Sequence, residues 1–246
     1  MADAAFSHPR LAGVYDPLDP DRSDLGLYLG LAVGFGVRSA LDIGCGTGTF
    51  ACMLAGHGID VTGLDPALAS LDVARGKPSA DLVRWIHGDV SALPPLAVDL
   101  ATMTANVAQV FITDSEWLAA LRAVRSGLRP GGHLVFETRD PARRAWLRWT
   151  REHSHQRVDI AGIGFVQSWH ELLDVSGSLV TFQSTTLFES DGEELVSRST
   201  LRFRGRDEID ASLSAAGFTV GDVLDAPDRP GLEWVFVARL SDRRAG

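Results

Sequence analysis

Apolar and polar positions change their period several times along the chain, and each change marks an element. "SDLGLYLGLAVGFG" (23–36) reads as a helix with Ser23 or Asp24 as its cap. "SALDI" (39–43) is a short buried strand, and "TFACMLAGHG" (49–58) is a helix ending at Gly56 or Gly58. "DVTGLD" (60–65) is a second strand. "PALASLDVARG" (66–76) is a second such helix, with Pro66 in its first turn. "DLVRWIHGD" (81–89) and "VDLATMTAN" (98–106) read as further strands. "SEWLAALRAVRSGLRPGG" (115–132) is amphipathic at helical spacing and is stopped by Pro130 and two glycines; "HLVFET" (133–138) is a fifth strand. Strands alternating with helices at short spacing predict βαβ units and a parallel sheet.

Beyond Thr138 the pattern changes. "DPARRAWLRWTREH" (140–153) predicts a helix with Asp140 capping and Pro141 at the first position. Three strand-like runs follow, at 158–173, 179–188 and 194–204, separated by the hairpin signals "DVSGS" and "SDGE". They predict an antiparallel insert. "RDEIDASLSAAG" (206–217) restores a helix, and "FTVGDVLDA" and "LEWVFVARL" form two strands joined by "PDRPG". The division expected is a core of residues 1–140 with 206–240, and an inserted helix and β cap at 141–205. The tail "SDRRAG" is expected to fray.

The 246 residues suffice for one large α/β domain with an inserted cap. Hydrophobic residues make up 45% and charged residues 22%, which is ordinary for a globular protein. No apolar run approaches the roughly 20 residues of a membrane helix. The N-terminus has no basic start followed by an apolar core, so no signal peptide is expected. Only Cys45 and Cys52 are present, so a reduced, cytoplasmic protein without a disulfide framework is expected. A net charge of −9 disfavours nucleic-acid binding over the whole surface.

The chemistry concentrates in "ALDIGCGTGTF" (40–50), where Gly44, Gly46 and Gly48 lie between a strand and a helix. That is the carboxyl end of the first strand of an open α/β sheet, where ligands bind near a reversal of strand order. Glycine lets backbone approach a ligand and take positive φ, and the following helix offers free N–H groups. The bland alternative is a tight connection and nothing more. A dinucleotide fingerprint would read G-x-G-x-x-G; here the third glycine comes one residue early, and Asp42 stands two residues before the first. Asp65 ends the second strand 21 residues after Gly44, a position suited to ribose hydroxyls, and Asp89 ends the third.

These stretches together resemble the class I methyltransferases that use S-adenosylmethionine. "LDIGCGTG" is similar to that family's first motif, "GLDPA" to its acidic loop after strand two, "GDVSALP" to the loop after strand three, and "LRPGGHLVFET" to the run into strand five. The resemblance covers about residues 25–140 strongly and 206–240 in outline. It implies a Rossmann-like, seven-stranded, mostly parallel sheet with an antiparallel last strand, the antiparallel insert capping the active site. It implies that backbone at Gly44 and Gly46, with Cys45 between them, lines the methionine part of the cofactor, which Asp42 helps to hold. Asp65, with Pro66 beside it, would meet the ribose; Asp89 would meet the adenine amino group, with Val90 packed on the ring. An aromatic such as Tyr15 would fold over the cofactor, although simple packing is its other reading.

The methyl group of such a cofactor is already activated, so in-line positioning is the main requirement and no catalytic dyad need be visible. On the acceptor side, "TANVAQVF" (104–111) resembles a segment of small-molecule N-methyltransferases, with Asn106 matching and Gln109 where a polar residue often stands. A helix cap is the alternative for Asn106. His170 in "QSWHELL" is either a base or a structural histidine. Arg139, Arg143, Arg144, Arg148 and Arg151, interleaved with Trp146 and Trp149, either grip an anion or RNA or form a solvated face with the tryptophans inward. Cys45 and Cys52 read as small buried residues, and no spacing suggests a metal. The expected function is methyl transfer to a small molecule through oxygen, nitrogen or carbon, by a monomer or homodimer without nucleic-acid or membrane partners. The alternatives are an RNA or protein methyltransferase and a cofactor-binding protein without catalysis.

Overall fold

A computed structural model describes residues 3–241. Seven strands form the first sheet: β1 (Ser39–Ile43), β2 (Asp60–Asp65), β3 (Val83–His87), β4 (Val98–Met103), β5 (Leu128–Arg139), β10 (Phe218–Asp225) and β11 (Glu233–Leu240). Their order is β10-β11-β5-β4-β1-β2-β3. β1 through β5 run parallel, whereas β11 is antiparallel to both β5 and β10. The chain steps outward from β1 to β3 and returns to β4 on the other side of β1, which creates the switch point at the carboxyl ends of β1 and β4.

Every residue of β1 is buried, the signature of a strand covered on both faces. Successive side chains point to opposite faces. Leu41 and Ile43 join Trp117, Leu121 and Val124 of α6 (Asp114–Gly127) and Ile209 and Leu213 of α8 (Arg206–Ala215). Ala40, with Val61 and Leu100, packs against Leu25 and Tyr28 of α3 (Leu25–Gly34) and Phe50 and Leu54 of α4 (Thr49–Gly56). Each fully buried leucine contributes roughly 1.5–3 kcal/mol, so these two layers hold the sheet edge rigid beneath the site. α6 starts at a reciprocal cap: Glu116 N–H donates to Thr113 Oγ1 at 3.2 Å, and Thr113 N–H donates to Glu116 Oε2 at 2.8 Å.

A second, four-stranded antiparallel sheet runs in sequence order: β6 (Gln156–Ile160), β7 (Gly164–Ser176), β8 (Leu179–Phe188) and β9 (Glu193–Arg202). The first of the three expected runs is two strands, because Gly162 and Gly164 take φ of 79° and 92° and turn the chain. The helix expected at 140–153 does not form as one element. Two 3₁₀ turns (Pro141–Arg143 and Ala145–Arg148) and the short α7 (Arg151–Ser154) replace it, with Arg144 at φ 48° between the turns. Packing overrides propensity here: Trp146 meets the Phe203 ring at 4.6 Å, and Trp149 meets that of Phe182 at 4.7 Å.

Other boundaries shift. α5 (Leu68–Arg75) starts two residues after Pro66. β4 stops at Met103, so Asn106 follows the strand rather than ending it. α6 ends at Gly127 and β5 begins at once, which places Pro130 in the opening of the strand rather than at a helix stop. α1 (Ala4–Ser7) and α2 (Pro9–Leu18) precede the core; the proline at the first position of α2 needs no N–H there. Of the tail expected to fray, Ser241 N–H donates to the Gly217 carbonyl at 3.0 Å, and residues 242–246 lie outside the described residues.

Candidate functional site

The glycine loop leaves β1 with three successive left-handed glycines, Gly44, Gly46 and Gly48, at φ 67°, 53° and 76°. A Cβ on Gly44 would lie 2.5 Å from Val107 Cγ2, so Gly44 lets the loop after β4 come close. A Cβ on Gly48 would strike Trp85 and Ala74. Gly46 is different: nothing lies within 4 Å of its built Cβ, so its backbone faces open space. Cys45 and Cys52 are buried free thiols; Cys45 packs behind the loop, 3.1 Å from the Cβ position of Gly63.

Two acids frame this loop. Asp42 accepts from Thr102 Oγ1 at 2.8 Å through Oδ1, while its buried Oδ2 has no partner. Burial pushes the Asp42 carboxyl up to about 7. Asp65 accepts from Ala67 N–H at 2.7 Å and from Gly46 N–H at 2.8 Å, which locks its carboxylate between the loop and α5; burial raises it above the ordinary range. Pro66 is exposed, and its carbonyl oxygen is 3.1 Å from His87 Nε2. Asp89 is exposed and caps a 3₁₀ turn, where the hydroxyl and N–H of Ser91 hold it below the ordinary range. Val90 is half-buried against the core.

A network of buried charges occupies the edge next to β4. Ala105 and Asn106 both take positive φ, 54° and 61°. Two such non-glycine residues in a row store strain, as functional loops often do. Asn106 N–H donates to Glu137 Oε1 at 3.0 Å, its Nδ2 donates to Glu233 Oε2 at 2.9 Å, and its buried Oδ1 has no partner. Glu137 also accepts from the Tyr28 hydroxyl. Glu233 Oε1 takes Arg229 Nη1 at 2.9 Å and Arg139 Nε at 3.2 Å. Arg139 Nη1 donates to Gln109 Oε1 at 2.9 Å, and Gln109 is fully buried. Burial raises Glu137 above its ordinary range and lowers Arg139.

The second sheet meets this edge through Trp149, whose ring lies 5.6 Å from the Arg139 guanidinium and against Phe182. His170 is edge-on to Phe182 at 5.8 Å, with Nδ1 2.8 Å from Ser184 Oγ. Burial and then the charge of Arg139 hold its imidazole below the usual range. Arg143, Arg144, Arg148 and Arg151 are exposed; Arg139 alone of that group is drawn into the network.

The N-terminal segment straps the glycine loop to the second sheet. Asp16 Oδ1 accepts from Thr47 Oγ1 at 2.6 Å, and Asp16 Oδ2 pairs with Lys77 Nζ at 2.6 Å. Ala5 N–H donates to Ser197 Oγ at 2.8 Å, and Arg10 pairs with Asp191 and Glu193 on the β8–β9 turn. Tyr15 is half-buried on this strap, packed on Phe6 and raised by burial.

The structure thus brings Asp42, Gly44, Cys45, Gly46 and Asp65 to one edge, with Asn106 and Gln109 beside them, and keeps His170 on the opposing sheet. Asp89 and Val90 lie on the adjoining loop. Glu137, Glu233, Arg229 and Tyr28 escape sequence reasoning. Glu137 carries a signal in retrospect, an acid within the otherwise apolar "HLVFET". Among the described residues, no group of three His, Cys, Asp or Glu side chains could hold a metal, and no helix is long and apolar enough to cross a membrane.

Residues 40–132 match the family model of a methyltransferase domain. A malonyl-(acyl-carrier protein) O-methyltransferase from Serratia marcescens is 36% identical over 138 residues, 55% of this chain and 51% of that protein. The chain spans about half the length of the curated relatives it matches. The CcbJ methyltransferase of Streptomyces caelestis superposes with a TM-score of 0.76 at 22% identity, covering 98% of this chain and 100% of that one. The sugar N-methyltransferase KedS8 of Streptoalloteichus sp ATCC 53650 superposes at 0.77 and 21% identity, covering 93% of each chain. At such identities these likenesses establish the fold. The domain match covers the glycine loop and all three acids, so residues 40–132 carry a methyltransferase domain, and the fold of such enzymes is shared over nearly the whole length.

Proposed function

We propose that the chain moves a methyl group from S-adenosylmethionine to a small-molecule acceptor held between the carboxyl edge of the first sheet and the second sheet, with residues 141–205 as the cap. One observation carries this reading: at the end of β1, Asp42 Oδ2 is buried without a partner, and four residues on, the backbone at Gly46 faces open space. A buried acceptor without a donor costs about 1–3 kcal/mol, so a ligand bearing a donor is favoured there. The cofactor's ammonium is such a donor.

The other residues fit the rest of the cofactor. Asp65, held by two backbone N–H groups, keeps lone pairs for ribose hydroxyls. Asp89 and Val90 offer an acceptor and an apolar surface to the adenine, Cys45 and Pro66 flank the chain of contacts, and Tyr15 closes it from the strap. Bound there, S-adenosylmethionine supplies a methyl group activated on a sulfonium. The protein's task is to position the acceptor and exclude water. Asn106 Oδ1 orients an acceptor N–H or O–H. Gln109 acts through Arg139 and is a positioning residue. His170, kept neutral by its surroundings, takes a proton where the acceptor must lose one.

Titration calorimetry tests the reading. S-adenosylmethionine and S-adenosylhomocysteine should bind and NAD should not, and Asp65→Ala should weaken binding by about 1–3 kcal/mol. Tight NAD binding, or no binding of either sulfur compound, overturns it.

A further inference from the structure

We infer that the middle of the second sheet is the roof of the acceptor compartment and that it selects a neutral, polyhydroxylated acceptor; this rests on the methyltransferase reading above. Strand alternation puts Val166, Ser168, His170 and Leu172 on one face of β7. The register sets them beside Phe188, Thr186, Ser184 and Phe182 of β8, and these beside Glu193, Leu195, Ser197 and Ser199 of β9.

The two ends of this face are apolar and seated. Val166 and Phe188 pack with Leu11 and Val14 of α2. Leu172 packs with Trp146, Val180 and Phe203. Between these piers the face turns mainly polar, with Ser168, Thr186, His170, Ser184 and Ser197 around the single apolar Leu195, and Ser199 beside Phe182 at its edge. A sheet face that merely packed on a core would stay apolar throughout.

Ser168, Thr186 and Ser199 are only 7%, 6% and 8% exposed, none of their hydroxyls bonds to protein among the described residues, and each hydroxyl keeps some access to solvent. The face is held against the catalytic edge by Trp149 on Arg139, and by Gln109 Nε2 reaching the Arg202 carbonyl at 3.5 Å. The hydroxyl-bearing face therefore turns toward the edge that carries Asn106 and Gln109.

Charge is already balanced within the protein there. Glu137 takes the Asn106 N–H and the Tyr28 hydroxyl; Glu233 takes Arg139, Arg229 and the Asn106 amide; Arg139 also holds Gln109. The hydrogen-bonding capacity left over is neutral: an amide oxygen, hydroxyls and an imidazole. An anionic acceptor would have to draw Arg139 from Glu233 and leave a buried carboxylate short of a cation. A neutral molecule with several hydroxyls matches what remains.

Saturation-transfer NMR on the protein loaded with S-adenosylhomocysteine tests this, with methyl β-D-glucopyranoside, its 6-phosphate and the matching uronate as probes on one skeleton. The neutral glycoside should bind at least fivefold more tightly than either anion. Ser168→Ala combined with Thr186→Val should weaken the glycoside about tenfold, the scale of two ordinary hydrogen bonds, with S-adenosylhomocysteine affinity kept. Equal or tighter binding of an anion overturns the inference, as does absent glycoside binding or an unaffected double variant. In each of those cases retained S-adenosylhomocysteine binding leaves the methyltransferase reading standing. Loss of that binding in the parent protein removes both.

Discussion

Asn106 Nδ2 donates to Glu233 Oε2 at 2.9 Å across 127 residues of sequence, and this contact decides which way the amide faces. With its N–H group on Glu233, the amide turns Oδ1 away, buried and without a partner. Asn106→Ala should therefore leave cofactor affinity within a few-fold but lower single-turnover methyl transfer roughly tenfold or more, as expected when one positioning contact is lost. Transfer at the parent rate would reduce Asn106 to a turn residue and move the acceptor contacts to His170 and its neighbours.

Glu233 compensates two guanidinium groups, Arg139 and Arg229, and is itself only 2% exposed. Truncation leaves those cations partly buried without their acid. Glu233→Ala should lower the unfolding free energy by roughly 3–5 kcal/mol in a urea titration, the usual consequence of breaking a buried pair from one side. A loss below about 1 kcal/mol would show that solvent reaches the network and screens it.

Two neighbouring glycines should fail in different ways. Gly44→Ala must both hold a left-handed conformation and displace Val107, so a stability loss of about 2–4 kcal/mol is expected. Gly46→Ala bears only the conformational part, about 1–2 kcal/mol, but its methyl enters the open space beside the loop. Calorimetry should find S-adenosylhomocysteine affinity reduced tenfold or more in Gly46→Ala. Unchanged affinity would place the ligand away from Gly46.

Asp42 ties stability to pH. Its folded carboxyl is pushed up to about 7 by burial, from an ordinary value of 3.8. Between these values the folded state binds more protons than the unfolded one. Stability from this group is therefore fully present below the unfolded value and is lost as pH rises through the folded one, by on the order of 4 kcal/mol in total. Asp42→Asn should flatten that decline in denaturant titrations run from pH 4 to 8 without ligand. A decline of the same size in the variant would assign it to other groups.

The sequence alone determined the parallel core. β1 and β2 read as "SALDI" and "DVTGLD", α4 and α8 are where the periodicity puts them, and the antiparallel closing pair is found at the expected runs. These elements are local: burial on both faces, helical period and turn glycines act within a few residues, so their traces are contiguous in the chain. The glycine loop and its two framing acids were legible for the same reason, since the strand, the glycines and the next acid lie within 30 residues of one another.

Only the tertiary structure decided how the edge around Asn106 and the second sheet come together. One reading of "DPARRAWLRWTREH" has its tryptophans inward, but nothing in the stretch names Phe203 and Phe182 as the partners of Trp146 and Trp149, and those contacts break the helix that its propensities favour. Nothing near Asn106 in sequence indicates Glu137 or Glu233, which reach it from β5 and from the start of β11. The hydroxyls of the second sheet share a face only because the register aligns three strands. In each case the energy lies in contacts between residues far apart in the chain, which local preference neither encodes nor opposes strongly enough to prevent.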